Sequence, residues 1–171
     1  MAKVRGISQT IAELSKFGKE TEKKIDAETQ AIAFQIEGDA KKLAPKNFGK
    51  LAQSISNNKV EMSRYKVTVN EYYGAYMEFG TGTKVKVPAE FKSIADSFKG
   101  QKRGNWRDAL ESIKAWCRAK GIDEKAAYPI LAKILGAGVN PQPFLYPAYV
   151  KGKKDYLNNL KRLLDKTNKK I

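Results

Sequence analysis

Apolar residues in the segment 7–43 recur mainly at helical spacings, with lysine and glutamate between them. This periodicity predicts one long amphipathic helix, with Gly18 as a candidate break. Thr10 and Glu13 fit the spacing of a capping box, and Pro45 is expected to end the helix. Because such a helix is long for a small domain, we expect part of it to lie against a neighbouring subunit. The predicted inward positions are Ile7, Ile11, Leu14, Ile25, Ile32, Ile36, Ala40 and Leu43.

The segments after this helix predict a small sheet. Residues 59–62 and 65–69 alternate between apolar and polar and form a predicted hairpin that turns at Ser63-Arg64. Residues 75–79 are rich in aromatic and apolar side chains, which predicts a third strand. Three consecutive short strands would make an antiparallel meander with the N-terminal helix across one face.

Helical patterns return between about residues 85 and 138. Residues 88–98 predict a short helix, and residues 99–105 form a basic loop with glycines. Two helices follow, one from Trp106 to a cap at Gly121 and one between Asp123 and Leu135. Their predicted inward residues are Trp106, Ala109, Leu110, Ile113, Trp116, Cys117, Ala127, Ile130, Leu131 and Ile134.

Residues 136–148 form an irregular segment before a last predicted helix over residues 149–164. Two prolines in this segment force an extended backbone, which would present Phe144 and Leu145 to a pocket. The helix is amphipathic, so one face should pack inward and a lysine-rich face should point outward. Its predicted inward positions are Val150, Leu157, Leu160 and Leu164.

A chain of 171 residues has the size of a single domain that can bury a core. The apolar fraction of 42% excludes general disorder. No apolar run approaches the roughly 18 residues of a membrane span, and the first residues lack the apolar segment of a secretory signal. We therefore expect a soluble protein made in the cytoplasm, with no membrane partner.

Histidine is absent and Cys117 is the single cysteine. Zinc sites of the Cys/His kind, Ser-His-Asp triads and Cys-His pairs are therefore excluded. Carboxylate chemistry stays open, although no pair of acids stands out from the surface charge. Cys117 lies between predicted core residues and is interpreted as a buried, inert thiol. The sequence predicts no catalytic residue, no metal site and no cofactor.

The net charge of +15 would attract nucleic acid or another polyanion. Solvated helical faces are the simplest explanation for it, and contact with DNA is the second. A helix-turn-helix DNA reader is compatible with the two helices after Trp106, but the pattern is not specific. The densest basic patch comprises Lys151, Lys153, Lys154, Lys161, Arg162, Lys166, Lys169 and Lys170.

The segment 72–83 combines aromatic residues with two glycines that alternate with threonines. Gly80 and Gly82 allow a positive φ or close backbone approach. A phosphate-binding loop is one interpretation, but the segment lacks the GK[ST] ending of such loops. The other interpretations are the end of a structural strand and a contact between protein subunits.

Several motifs in order carry a resemblance to a known family. A long N-terminal helix is followed by Ala44-Pro45, Gly49-Lys50-Leu51 and Ser54-Ile55. The segment 73–81 reads Tyr-Gly-Ala-Tyr-Met-Glu-Phe-Gly-Thr, and residues 143–148 read Pro-Phe-Leu-Tyr-Pro-Ala. This order resembles the neck or tail-completion proteins of long-tailed bacteriophages. The resemblance covers about two thirds of the chain, and the insertion at about 85–138 departs from the shorter members.

The resemblance implies an α+β fold with a long N-terminal helix on a small antiparallel sheet, a helical insertion and a C-terminal helix. It also implies a non-catalytic virion protein that forms a ring, usually of six copies. Such a ring would complete the tail, contact head-closure or connector proteins and tail tube or tail terminator proteins, and surround double-stranded DNA. Head closure or tail termination are neighbouring positions that stay open.

The resemblance suggests roles for two groups of residues. The first group would lie at a contact between subunits or rings, so Gly80→Val should impair assembly more than folding. The second group would anchor the elements within one subunit. The interface group is Tyr76, Glu78, Phe79, Gly80, Thr81 and Gly82, and the anchors are Pro45, Leu51, Ile55, Pro143, Phe144, Leu145 and Pro147.

Two functions from other classes are considered beside this one. A small basic nucleic-acid-binding protein would use the loop 99–103 and the helices after Trp106, with steep salt dependence. A carboxylate-based enzyme has no support in the sequence. We expect the lysines to face outward or to meet acidic neighbours, because a strongly cationic channel would retard sliding DNA.

Overall fold

A computed structural model describes residues 7–46, 49–97 and 105–168 of the chain. It confirms the predicted α+β class, with mostly helices and a two-stranded antiparallel sheet in the described part. Short 3₁₀ turns lie at Gly82–Lys84, Ala89–Phe91 and Glu124–Ala126. The elements are α1 (Ile7–Leu43), α2 (Lys50–Gln53), β1 (Ile55–Glu61), β2 (Arg64–Val69), α3 (Gly74–Phe79), α4 (Lys92–Ser97), α5 (Trp106–Ala119), α6 (Ala127–Ala137) and α7 (Leu145–Asn168).

Helix α1 is continuous from Ile7 to Leu43, so the break suggested at Gly18 is wrong. Thr10 and Glu13 lie inside the helix, and the predicted capping box at this position is wrong as well. The helix ends before Pro45, as expected, because a proline disfavours helical backbone in the residue before it. Ile32 and Ala40 of its apolar stripe are buried, whereas Ile11 and Leu14 in its first turns are each 62% exposed and Leu43 at its end is 52% exposed.

Helix α7 packs antiparallel against the second half of α1. Asp39 pairs with Lys151 at 2.7 Å, and Glu28 accepts a hydrogen bond from Asn159 at 2.7 Å, so residue numbers rise in opposite directions. Gly152 faces Ile36 so closely that a Cβ atom would overlap the isoleucine side chain. The missing side chain therefore lets the two helix axes approach.

The hairpin of β1 and β2 pairs Ile55 with Val69 and Asn57 with Val67. It turns at Met62-Ser63, one residue earlier than predicted, and Ser63 has a positive φ of 57°. Asp26 of α1 accepts the Ser63 N–H at 2.8 Å, which ties this turn to the helix.

The third strand predicted at residues 75–79 is wrong, because this segment is helix α3. Its buried positions are Gly74, Glu78 and Phe79, which is helical spacing rather than alternation. The antiparallel meander is therefore wrong too, and the described sheet has two strands. Aromatic side chains favour strands only where the tertiary context supplies a pleated surface.

The main core lies where α1, α2, the hairpin and the start of α7 meet. Leu51, Ile55 and Phe144 are each 1% exposed there, and Ala40, Ala44 and Ala148 complete the buried set. Phe144 lies directly before the first residue of α7, and Pro143 and Pro147 lie on either side of this point. The last predicted helix thus begins at Leu145, four residues earlier than expected.

The insertion has a small core of its own between α5 and α6. Leu110, Cys117, Ala127 and Leu131 are buried in it, so the predicted buried thiol is confirmed. Residues 88–97 form a 3₁₀ turn and α4, and residues 99–104 of the predicted basic loop lie outside the described residues. The inward positions predicted for several residues are wrong, because these residues are exposed: Ile11, Leu14, Leu43, Trp106, Ala109, Val150, Leu157 and Leu164.

Candidate functional site

The segment Glu78-Phe79-Gly80-Thr81 lies against residues 138–146, so the two most specific sequence motifs meet in space. The buried carboxylate of Glu78 is the centre of this contact. Its Oε2 accepts the N–H groups of Phe144 at 2.8 Å and Leu145 at 2.9 Å, and its Oε1 accepts that of Tyr146 at 2.8 Å. Glu78 therefore caps the N-terminus of α7 from another part of the chain.

This cap leaves no backbone donor unsatisfied at the start of α7. A helix has four N–H groups at its N-terminus without intrahelical acceptors. Three of them here donate to Glu78, and the fourth position is Pro147, which has no N–H. The negative carboxylate also interacts favourably with the positive end of the helix dipole. Glu78 and Pro147 together account for all four backbone positions at the start of the helix.

Two glycines allow the backbones on either side of this contact to approach. Gly80 has φ of 77°, and a Cβ there would lie 2.8 Å from the carbonyl oxygen of Val139. Gly138 has φ of 78°, and a Cβ there would overlap the carbonyl oxygen of Thr81. Thr81 and Val139 are joined by two hydrogen bonds, one through the Thr81 backbone N–H at 3.1 Å and one through its hydroxyl at 2.8 Å.

We call this set the clasp, defined by residues 78–82, 138–142 and 144–146. Next to it, the Gln142 N–H donates to the carbonyl oxygen of Met77 at 2.7 Å. The chain leaves the clasp into the insertion after Gly82 and returns at Gly138. The clasp therefore fixes the base of the insertion to the helix-capping site.

An aromatic cluster lies beside the clasp. Phe91 stands edge-on to Phe79 at 6.2 Å and to Tyr146 at 5.3 Å, and lies 5.6 Å from Tyr149. Sequence reasoning missed Phe91, because nothing in its local pattern marks a contact with residues so distant along the chain.

The predicted interface residues differ in how much surface they offer. Glu78, Phe79 and Gly80 are buried within the subunit, Tyr76 and Thr81 are half-buried, and Gly82 is exposed. Among the predicted anchors, Leu51, Ile55 and Phe144 are buried, Pro143 is exposed, and Pro45, Leu145 and Pro147 are half-buried. The structure thus brings residues 78–82 together with 138–146, whereas Leu51 and Ile55 lie in the adjoining core and Pro45 follows the end of α1.

A groove of about 980 Å³ opens between α1, β2, α3, α4 and α7. Its lining is largely apolar and aromatic, and Thr29 and Tyr156 in it are hydrogen-bonded to each other at 3.0 Å. The described residues contain no group of three or more Asp, Glu or Cys side chains arranged to hold a metal ion. Because its lining is largely apolar, the groove is suited to contact with apolar side chains.

The ion pairs involve lysines from several elements. The carboxylate of Asp26 raises the pKa of Lys59, and that of Asp39 raises the pKa of Lys151. Glu90 likewise raises the pKa of Lys153, which it contacts at 3.1 Å. Lys16, Lys19 and Lys23 share another exposed face on α1. Lys59, Lys151 and Lys153 therefore keep their charge at neutral pH.

Among the exposed apolar side chains of the described residues are two groups outside the clasp. The first, the α1 arm, is the start of α1 with Ile11 and Leu14. The second, the α6 face, carries Tyr128 and Leu135, of which Leu135 is 70% exposed. Exposed apolar surface of this kind is typical of protein contacts.

Comparison with known proteins gives one match. Residues 8–80 match the model of the HK97-gp10-like family, described as "Bacteriophage HK97-gp10, putative tail-component". The match spans α1, α2, the hairpin and α3 and ends at Gly80. It confirms the resemblance to tail-completion or neck proteins and supports a phage tail component as the class of protein. The insertion and α7 lie beyond the matched residues.

Searches of curated proteins and of solved structures returned no match. None of the helices described here is long and apolar enough to cross a membrane.

Proposed function

We propose that this protein is a structural component of the phage neck, where it forms a ring that completes the tail and joins it to the head connector. The observation that carries the proposal is the family match over residues 8–80, which includes Glu78, Phe79 and Gly80 of the clasp. Its partners are further copies of itself in a ring of about six, head-closure or connector proteins, and tail tube or tail terminator proteins. Double-stranded DNA passes through the ring without tight binding, and the protein is part of the virion.

Two separate surfaces of the subunit support a ring. In a closed ring with head-to-tail contacts, each subunit offers two different surfaces to its neighbours. The α1 arm and the α6 face are two such surfaces, and they lie on elements far apart in the sequence. Gly82 and its neighbour Thr83 are exposed at the base of the insertion, so this part of the segment is accessible for the predicted contact between subunits.

The charge is assigned to contacts with neighbouring proteins rather than to DNA. A ring that held phosphates through many lysines would retard DNA passage, because each contact releases counterions. A net charge of +15 is better matched by acidic surfaces of adjacent virion proteins.

The proposal is tested with the purified chain and with a phage that lacks its gene. Light scattering and negative-stain imaging, with and without tail tube, should show rings on the tube end. The deletion phage should accumulate filled heads and separate tails that join when the protein is added. Joined, infectious particles without the protein would overturn the proposal.

A small basic DNA-binding protein is the second candidate, favoured by the charge of +15. It requires submicromolar binding of the isolated chain to duplex DNA, with a steep loss of affinity as salt rises. A titration at several salt concentrations separates the two functions, since the neck component should bind duplex DNA only weakly at physiological salt.

A further inference from the structure

Strand β2 has a free backbone edge. In an antiparallel pair, directly opposite residues alternate between those that exchange hydrogen bonds and those that do not. The N–H of Asn70 bonds the carbonyl oxygen of Ser54, so the same register makes Thr68 a bonded partner of Ser56. The backbone groups of Val67 and Val69 consequently point away from β1, and within the described chain they have no hydrogen-bond partner.

This edge opens into the apolar groove. Residues 65–70 all line it, although successive side chains of a strand point to opposite faces. A groove lined by an unbroken run of strand residues must lie along the edge of that strand. The position beside β2 is where a third strand would pair, and the segment 75–79 that was predicted to form one is helical instead.

The walls of the groove suit the side chains of an extended peptide. Ile32 and Ile36 of α1, Ile94 of α4 and the aromatic Phe91 and Tyr149 border it. An added strand would gain main-chain hydrogen bonds from β2 and place alternate side chains against these walls. A two-stranded sheet is marginal alone, and a third strand would stabilise it.

Charge decides what kind of chain fits. The lining of the groove has two basic side chains, Lys66 and Lys153, and two acidic ones, Glu71 and the capping Glu78, so its charges nearly balance. The groove itself therefore selects alternating apolar residues. The net charge of +15 favours an acidic chain over a segment from a second copy of this basic protein.

We propose that the free edge of β2 accepts, as a third strand, an extended and alternately apolar segment with acidic flanks from another protein of the virion. The inference rests on the proposed function, since it names one class of partner for a neck component. It places that partner in the groove rather than on the α1 arm or the α6 face.

The test uses short synthetic peptides as probes of the full-length protein, followed by amide exchange in NMR spectra. One peptide has an alternating valine–threonine core with aspartate flanks, a second has the same core with lysine flanks, and a third has a proline in the core. The aspartate peptide should slow exchange at the Val67 and Val69 amides about 10-fold or more. The lysine peptide should bind about 10-fold more weakly at low salt, and the proline peptide should not bind.

Two variants probe the edge itself. Val67→Pro removes an edge N–H that β1 does not use, and should weaken binding of the aspartate peptide about 10-fold. If this variant fails to fold, Lys66→Glu at the groove should still weaken binding, whereas Lys154→Glu, exposed on α7 outside the groove, should have a smaller effect.

Three kinds of positive result would overturn the inference. They are binding of the aspartate peptide without protection of these two amides, equal binding of the lysine peptide, and protection that grows with protein concentration alone, which would make a second copy the occupant. None of them depends on ring formation. If the protein does not bind the aspartate peptide but still joins heads to tails, this inference is wrong and the proposed neck function is unaffected.

Discussion

Glu78 Oε2 lies 2.8 Å from the backbone nitrogen of Phe144, a residue 66 positions later in the chain. The carboxylate also accepts the N–H groups of Leu145 and Tyr146 and is buried. One acidic side chain thus fixes where α7 begins and how it meets α3. Since α7 packs along α1, the same contact orders the two long helices relative to the hairpin.

Replacing Glu78 should destabilise the whole subunit. Glu78→Ala leaves three backbone donors without an acceptor, and we expect a loss of roughly 2–4 kcal/mol in the free energy of unfolding. Glu78→Gln keeps an acceptor but loses the charge, and should cost about half as much. Urea denaturation measures both. Glu61→Ala, at an exposed ion pair with Arg64, is the control and should cost less than about 0.5 kcal/mol. Equal effects of Glu78→Ala and Glu61→Ala would contradict the capping role.

The close approach in the clasp gives a second prediction. Gly138→Ala would place a methyl group against the carbonyl oxygen of Thr81 at a positive φ, and should cost roughly 2–4 kcal/mol. Gly136→Ala, two residues earlier in α6, meets nothing within 4 Å and should stabilise the protein by about 0.5–1 kcal/mol. Thermal unfolding of the two variants should therefore shift in opposite directions, and a shift in the same direction would refute the packing described for Gly138.

The same geometry changes what Gly80→Val is expected to do. A side chain at Gly80 meets Val139 and Pro141 within the subunit, so this variant should impair folding of the monomer as well as any assembly. The exposed Thr83 is a better probe of the interface. Thr83→Arg should leave the unfolding temperature nearly unchanged and reduce ring formation on tail tubes seen by negative stain. Normal rings with this variant would remove the 80–83 segment from the assembly interface.

Much of the fold was predictable from the sequence, because the spacing of apolar residues in a long segment indicates its secondary structure. The stripe of α1 and the two helices of the insertion are of this kind. The conformation of α3 was not predictable in this way, since its aromatic residues Tyr76 and Phe79 have strand propensity, whereas its contacts with residues 139–146 decide its conformation. Propensity yields to tertiary contacts in so short a segment.

For the candidate site, the sequence identified the two motifs but not their relationship. Glu78 and Phe144 each stood out in their own segment, and the role of Glu78 as a helix cap depends on a contact across the whole insertion. The exposure of Leu157 and Leu164 was also unpredictable from periodicity. An amphipathic pattern shows that one face is apolar, and it does not show whether the same chain covers that face.

Acid should weaken the link between α1 and the hairpin. The hydrogen bond from Lys59, followed by that from the Ser63 N–H, holds the pKa of Asp26 below its ordinary value of 3.8. The folded state therefore binds the proton less readily than the unfolded state. This contribution to stability is complete above the unfolded pKa and is lost as the pH falls through the lower folded pKa.

Asp26→Asn should make urea stability less dependent on pH below about pH 4, because the side chain no longer titrates. It should also lower stability near neutral pH, where the ion pair with Lys59 is intact in the parent protein. Asp165→Asn, at an exposed position of α7, is the control and should follow the parent curve. If Asp26→Asn follows the parent curve too, the Asp26–Lys59 contact does not stabilise the fold.

The α1 arm provides the sharpest test of assembly. The pairing of α1 with α7 runs from Asp39 with Lys151 to Glu28 with Asn159, and continuing it places the end of α7 opposite the middle of α1. Leu14 lies beyond that point, 62% exposed on the stripe that α7 covers further along. Leu14→Glu should thus leave the free energy of unfolding within about 0.5 kcal/mol of the parent and abolish rings in light scattering. Ser15→Glu adds the same charge on the adjacent face and should assemble; rings formed equally by both variants would show that the arm is not an interface.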